Sequence, residues 1–279
     1  MVKPVVESIF VKAVYLAWLL AAIAPAVLGK LSEERRLLRH FNQIEVRGSV
    51  NVFVTQDARL REARVFADDS VLESVVTEVR GRTLVVEAKN IDTYAPRLPF
   101  VRIEFKAIQP VEVIVSMKEL EGVTVAGEGS FTGTNLKAKT FRIFSAGTGK
   151  VHLENLTADK VEARMESDGD VFLKGGVVER LQVDVSGKGS LRAIDLPALR
   201  AHVNLTGSGG AAVRAENWLE AKLSGTGNLR YLGRPVNVFV QTDGAGRVER
   251  IDPVEEDAKV PDDESVPPSK ERTPLPKEQ

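Results

Sequence analysis

Apolar and polar side chains alternate one by one through the middle and end of this chain, and the alternation restarts about every 20 residues. Phe141, Ile143 and Ser145 are followed at that interval by Val161, Ala163 and Met165, then by Leu181, Val183 and Val185. Ala201, Val203 and Leu205 come next, and Leu219, Ala221 and Leu223 after them. Polar residues stand between, among them Arg142, Glu162, Gln182, His202 and Glu220. A period of two belongs to a strand with one buried face. A second alternating run follows in each unit: Val151 and Leu153, Val171 and Leu173, Leu191 and Ala193, Ala211 and Val213, Leu229 and Tyr231. Leu136, Leu156 and Leu196 mark a third apolar position.

Glycine corners separate the two runs. They are Gly127 and Gly129, Gly147 and Gly149, Gly169 alone, Gly187 and Gly189, Gly207 and Gly209, Gly225 and Gly227, and Gly244 and Gly246. The second glycines lie 20, 20, 20, 20, 18 and 19 residues apart. Each unit is therefore strand, corner, strand and short return, and none can bury its apolar face alone, so the units stack. Strands recurring in one direction pair parallel, and parallel crossovers are right-handed in about 98% of cases. The fold class is all-β: a right-handed parallel β-helix (solenoid) with about 20 residues per coil and a less regular N-terminal β cap. The corners are assigned to positive-φ bends, with the Ser or Thr hydroxyl satisfying backbone groups freed by the bend. Glu166-Ser167-Asp168-Gly169 keeps only the second glycine, which puts regular stacking of that coil in question.

Residues 41–251 form one β-helix domain, with 41–121 as the cap region and 122–251 as the glycine-cornered repeats. In the cap region, Phe41 to Gly48 leads through a turn into a strand at Val50, Val52 and Val54, and further strands are predicted at Arg64–Ala67, Leu84–Glu87, Val101–Phe105 and Val111–Val115. A short helix capped by Asp69-Ser70 is predicted to run through Val76. Residues 30–40 are a linker. Lys3 and Lys12 precede an uncharged apolar run from Ala13 to Gly29. This pattern predicts a secretory signal over 1–29, cleaved after Ala26 or Gly29, with an uncleaved anchor as the alternative. Export places the protein in the periplasm or at the cell surface of a bacterium, touching membrane only through that segment. Residues 252–279 carry six prolines and many charges, predicting a disordered Pro/acidic tail.

Phe41-x-x-Ile44-x-Val46-x-Gly48-x-Val50-x-Val52, the Asp68-Asp69-Ser70-Val71-Leu72 stretch and the recurring Ser-Gly-x-Gly corners resemble the bacterial head GIN domain family, a "putative auto-transporter adhesin" domain of unknown function. The likeness runs from about Phe41 to Ile251. It implies an exported right-handed β-helix and brings no catalytic residues.

Composition narrows the chemistry further. Lys and Arg number 38 against 39 Asp and Glu, so there is no basic excess to attract nucleic acid. Cysteine is absent, which removes thiolate metal sites and cysteine nucleophiles. The glycine corners lead into strands, whereas phosphate loops lead into helices. Glu162, Glu166, Asp168, Asp170 and Asp184 fall in neighbouring coils and are the one speculative acidic patch. Such carboxylates serve polysaccharide cleavage or calcium when they converge, but Lys160, Arg164 and Lys188 stand among them as neutralising partners. No catalytic residue, metal or cofactor is assigned. Phe144, Phe172, Trp218 and Phe239 suit sugar stacking or self-association if outward, though burial in the core or under the cap is preferred. The reading is a non-enzymatic exported envelope protein, an adhesin-like β-helix for binding or scaffolding. A carbohydrate-active β-helix using the acidic patch and a self-assembling scaffold are the alternatives. The partners are envelope polysaccharide or protein, or further copies of the chain.

Overall fold

Alternating apolar positions lie in register on two stacks of strands, as the 20-residue period requires. The computed structural model describes residues 31–56, 61–88 and 110–251. The apolar segment of 1–29, the strand expected at Val101–Phe105 and the tail from 252 lie outside the described residues.

In chain order the elements are β1 (Leu31–Leu37), β2 (Gln43–Arg47), β3 (Val50–Gln56), β4 (Glu62–Asp68), α1 (Asp69–Leu72), β5 (Val75–Arg80), β6 (Thr83–Ala88) and β7 (Val111–Met117). They continue as β8 (Gly122–Val125), β9 (Ser130–Thr134), β10 (Lys137–Ser145), β11 (Lys150–Met165), β12 (Val171–Val185) and β13 (Leu191–Leu205). The last are β14 (Ala211–Leu223), β15 (Leu229–Leu232), β16 (Asn237–Thr242) and β17 (Val248–Arg250). One stack runs β6, β2, β8, β10, then the second halves of β11 to β14, then β16, all parallel. The other runs β7, β3, β9, then the first halves of β11 to β14, then β15 and β17. Ala163 pairs with Val183, and Val183 with Val203. The pile extends through Leu84, Ile44, Val123 and Ile143 on one side and Ala221 on the other, all buried. The molecule is a β-solenoid.

The order of coils in space departs from the order in sequence. The chain lays down β2 and β3 first, then builds β6 and β7 against their outer side. It crosses back at 118–121 to place β8 and β9 on the opposite side. At that crossing Leu120 is buried and the Glu121 N–H donates to the Asn42 carbonyl at 2.7 Å. The Asn42 N–H in turn donates to the Arg82 carbonyl at 3.0 Å. Regular parallel stacking thus reaches into the region expected to be a less regular cap. Antiparallel strands cover its end: β4 on β7, β1 on β4 and β5 on β6.

Three local expectations are corrected. The linker expected at 30–40 contains β1, whose alternating Leu31, Glu33, Arg35 and Leu37 pair along the free edge of β4. The helix expected through Val76 stops at Leu72 with no side-chain cap bond, because the β-branched run Val75-Val76-Thr77 joins β6 instead. The corner glycines do not serve positive φ. Among the described residues, glycines with positive φ are Gly48, Gly81, Gly175, Gly176 and Gly233. Of these only Gly48, in the bend between β2 and β3, stacks with the corners, and none is one of the repeat's corner glycines from Gly127 to Gly246. A Cβ on Gly149 would lie 2.0 Å from the Gly129 carbonyl oxygen, and one on Gly189 2.0 Å from that of Gly169. Glycine is needed there because adjacent coils meet backbone to backbone.

The corner N–H groups are met by the neighbouring coil. Ser186 N–H reaches the Met165 carbonyl at 2.9 Å and Gly189 N–H that of Ser167 at 3.1 Å, whereas the Ser186 hydroxyl makes only a long 3.4 Å contact. The coil bearing Ser167 keeps an unbroken register with the next from Val161 to Met165. The 18-residue interval is absorbed on the return side: Ala193 pairs with Val213 at an offset of 20, and Ala201 with Leu219 at 18. Opposite the corners the strands bend at Asn135 and Asn155, both at φ 55°, and at Gly175 at φ 70°. Asn155 Nδ2 donates to Asn135 Oδ1 at 3.1 Å, a short amide ladder on the bend.

Candidate binding surface

Outward positions of each strand fall into columns as regular as the core, so function is sought in which columns meet. On the face built from β10 to β16, one column runs Arg142, Glu162, Gln182, His202, Glu220 and Phe239. Glu162 accepts from Arg142 Nε at 3.1 Å and sits 2.5 Å from Lys160 Nζ. The Lys160 hydrogen bond, aided by the charges of Lys160 and Arg142, holds the Glu162 carboxyl below the usual carboxylate range against the opposing effect of its partial burial. The neighbouring column is Phe144, Arg164, Asp184, Asn204, Lys222 and Gln241. Asp184 accepts from Gln182 Nε2 at 3.2 Å and Asn204 Nδ2 at 3.3 Å.

The five carboxylates of the acidic patch are not brought together. Glu162 and Asp184 lie on this face, each held by its own partners. Glu166 is 2.5 Å from Arg164 at the corner, and Asp168 is exposed in the same corner. Asp170 opens the other face, where its Oδ1 accepts the Ser190 N–H at 2.9 Å, a bond between coils. Among the described residues, no three His, Asp or Glu side chains are arranged to hold a metal ion.

Phe144, Phe172, Trp218 and Phe239 lie on the outer faces, not under the N-terminal strands. Strand alternation puts them there, since Ile143 and Ser145, Val171 and Leu173, and Leu219 beside them are the buried positions. His152 and Phe172 stack with ring centroids 4.5 Å apart and planes 12° from parallel, and the Arg192 guanidinium lies 5.4 Å from the Phe172 centroid on the next coil. Both faces of Phe172 are therefore covered by its neighbours along the stack. This ladder packs coil on coil. A hollow of about 280 Å³ beside it is lined by Glu154, Lys174 and Asp195.

Trp218 and Phe239 form the second pair, with centroids 4.8 Å apart and planes 34° from parallel. Trp218 continues a basic column of Lys160, Arg180 and Arg200. Beside the pair is an open hollow of about 690 Å³, lined by His202, Asn204, Glu220, Lys222, Phe239 and Gln241. His202 Nδ1 is 3.3 Å from Glu220 Oε2 in its wall. This mixture of amide, imidazole, both charges and an aromatic ring is equipped for recognition by hydrogen bonds and stacking. Among the described residues, no serine or threonine hydroxyl is hydrogen-bonded to His152 or His202. Sequence reasoning named Trp218 and Phe239 but not the hollow, which exists only because columns from three coils meet.

Residues 40–235 match the family model described as "Putative auto-transporter adhesin, head GIN domain". Among solved structures, a "putative adhesin" from Bacteroides fragilis is similar at 23% identity and a TM-score of 0.69, over 80% of this chain and 97% of that one. A "putative lipid binding protein" from Parabacteroides distasonis is similar at 24% identity and a TM-score of 0.59, over 80% and 98%. A "putative adhesin" from Parabacteroides merdae is similar at 21% identity and a TM-score of 0.54, over 80% and 97%. At these identities the likeness is one of fold. No curated protein matches the chain.

Proposed function

This chain belongs to the head GIN domain family, and from that premise we propose that it is a non-enzymatic, exported bacterial protein whose solenoid presents its outer face for adhesion. The binding surface is the hollow lined by Phe239, whose ring is stacked on Trp218, together with that aromatic pair, and its partner is an envelope polysaccharide or an envelope protein. The observation that carries this reading is the meeting of Trp218, Phe239, His202 and Glu220 on a backbone fixed coil to coil. Aromatic anchors in a polar rim are the usual source of binding energy at such surfaces. The adhesin names of similar proteins support the same direction. Polysaccharide cleavage gains no support from the carboxylates, because they do not flank one cleft.

The test uses the full chain expressed in a bacterial host and recovered from the envelope fraction. Its N-terminus should be Val27 or Lys30, and it should bind members of a panel of envelope polysaccharides and surface proteins without releasing products. Trp218→Ala should weaken that binding about tenfold or more while leaving the thermal melt unchanged. Soluble saccharide products, or binding indifferent to Trp218, would overturn the reading.

A further inference from the structure

The two ends of the stack are finished differently. At the N-terminal end the outermost strands are β1 on one stack, with ion pairs between Glu33 and Arg35 and between Glu34 and Arg36, and β5 on the other, with an ion pair between Glu78 and Arg80. Charge along an edge strand discourages a further strand from adding to it. At the C-terminal end β16 reads Asn-Val-Phe-Val-Gln-Thr, with no charge and no proline. Among the described residues it pairs only with β14. Val238 and Val240 continue the inward piles over Leu219 and Ala221, yet they are 43% and 45% exposed, and Phe239 is 53% exposed. An open edge of this composition is a template for another strand. It also lies past residue 235, where the family match ends.

We propose that this end is an interface between two copies of the chain, joined tail to tail by antiparallel pairing of their β16 strands about a twofold axis at Phe239. Residues 237–241 are a chemical palindrome: amide, valine, phenylalanine, valine, amide. In an antiparallel pair, residues directly opposite share a face. Centring the axis on Phe239 sets Val238 against the second copy's Val240, closing the exposed core with apolar side chains. Asn237 meets Gln241 on the outer face, amide to amide, and the two Phe239 rings are neighbours. The chain's own tail is a poorer occupant. Its longest proline-free run, residues 254–260, holds Glu255, Glu256, Asp257 and Lys259, and Pro253 and Pro261 bound it. A twofold contact also closes on itself, whereas stacking head to tail would have to add β16 onto β5, the far end of the same stack, whose edge carries the Glu78–Arg80 ion pair. Phe239 stays on the outer face in this arrangement, so the dimer presents two Trp218 hollows. The pairing nonetheless stands or falls independently of adhesion.

The absence of cysteine makes the test direct. Full-length Phe239→Cys, kept in mild detergent so that residues 13–29 do not associate, should convert under mild oxidation to a disulfide-linked dimer, because directly opposed side chains are close enough to bridge. His202→Cys, in an inner coil, should remain uncrosslinked. Adding Val240→Lys to Phe239→Cys should abolish the cross-link, and the unmodified chain should sediment at twice the mass of one chain. If Val240→Lys shifts the thermal melt, Gln241→Lys on the outer face replaces it. Three outcomes overturn the proposal: an unmodified chain that is monomeric; a dimer appearing only after residues 252–279 are removed, which makes the tail the occupant; and cross-linking of Phe239→Cys to Glu78→Cys in β5 but not to itself, which makes the assembly head to tail.

Discussion

Gly189 and Ser186 sit three residues apart in one corner and have opposite importance. A methyl group on Gly189 meets the Gly169 carbonyl oxygen at 2.0 Å, a backbone atom that cannot move without shifting a coil. Gly189→Ala should therefore cost about 3 kcal/mol or more, at the upper end of overpacking penalties. Ser186 is exposed and its hydroxyl makes only a long contact, so Ser186→Ala should stay within about 0.5 kcal/mol of the parent. Denaturant melts of both variants decide the point, and equal midpoints would contradict it. The need for glycine was legible from the repeat, but its reason was not. A turn residue and a contact residue look alike in one sequence, and only the distance to the next coil separates them.

The strands show the same division between what alternation reveals and what it hides. Inward residues from Phe141 to Leu223 were readable because a period of two leaves one choice of face. β1 was not, since its charges suggest a linker and only the free edge of β4 makes it a strand. The bends between β9 and β10 and inside β11 were also hidden. Asn135 and Asn155 hold a left-handed conformation that asparagine tolerates better than most residues, and no hydrophobic signal marks it. Asn155→Ala loses both that tolerance and the amide bond to Asn135, and should destabilise the fold by about 1–2 kcal/mol. Asn155→Gly keeps the backbone freedom and should recover part of the loss in a thermal melt. Identical melts for the two variants would show that the bend carries no strain.

Across the whole molecule, the solenoid was legible and the binding surface only in fragments. Single columns can be written down from the repeat, but the hollow beside Trp218 needs three coils in register, two of them offset by the shortened return. The acidic patch shows the converse: carboxylates adjacent in sequence terms were sent to two faces and a corner. The interior placement of β2 and β3 was beyond reach, because nothing in the spacing announces that a later coil will slip outside an earlier one.

That placement governs how the molecule bears load. A single copy tethered by its head and pulled at its tail lets go first at β17 and β16, each of which, among the described residues, pairs with one strand of the same chain. Successive coils then unspool, each releasing about 7 nm of slack at the extended reach of roughly 3.5 Å per residue. At the tethered end only β1 can be stripped away. β2 and β3 are gripped on both sides, by β6 and β8 and by β7 and β9, so two ladders must break together to free them. Single-molecule stretching should accordingly record a series of even, low-force steps before one late, stronger rupture. A trace in which that rupture came first would mean the head, not the tail, is the weak end.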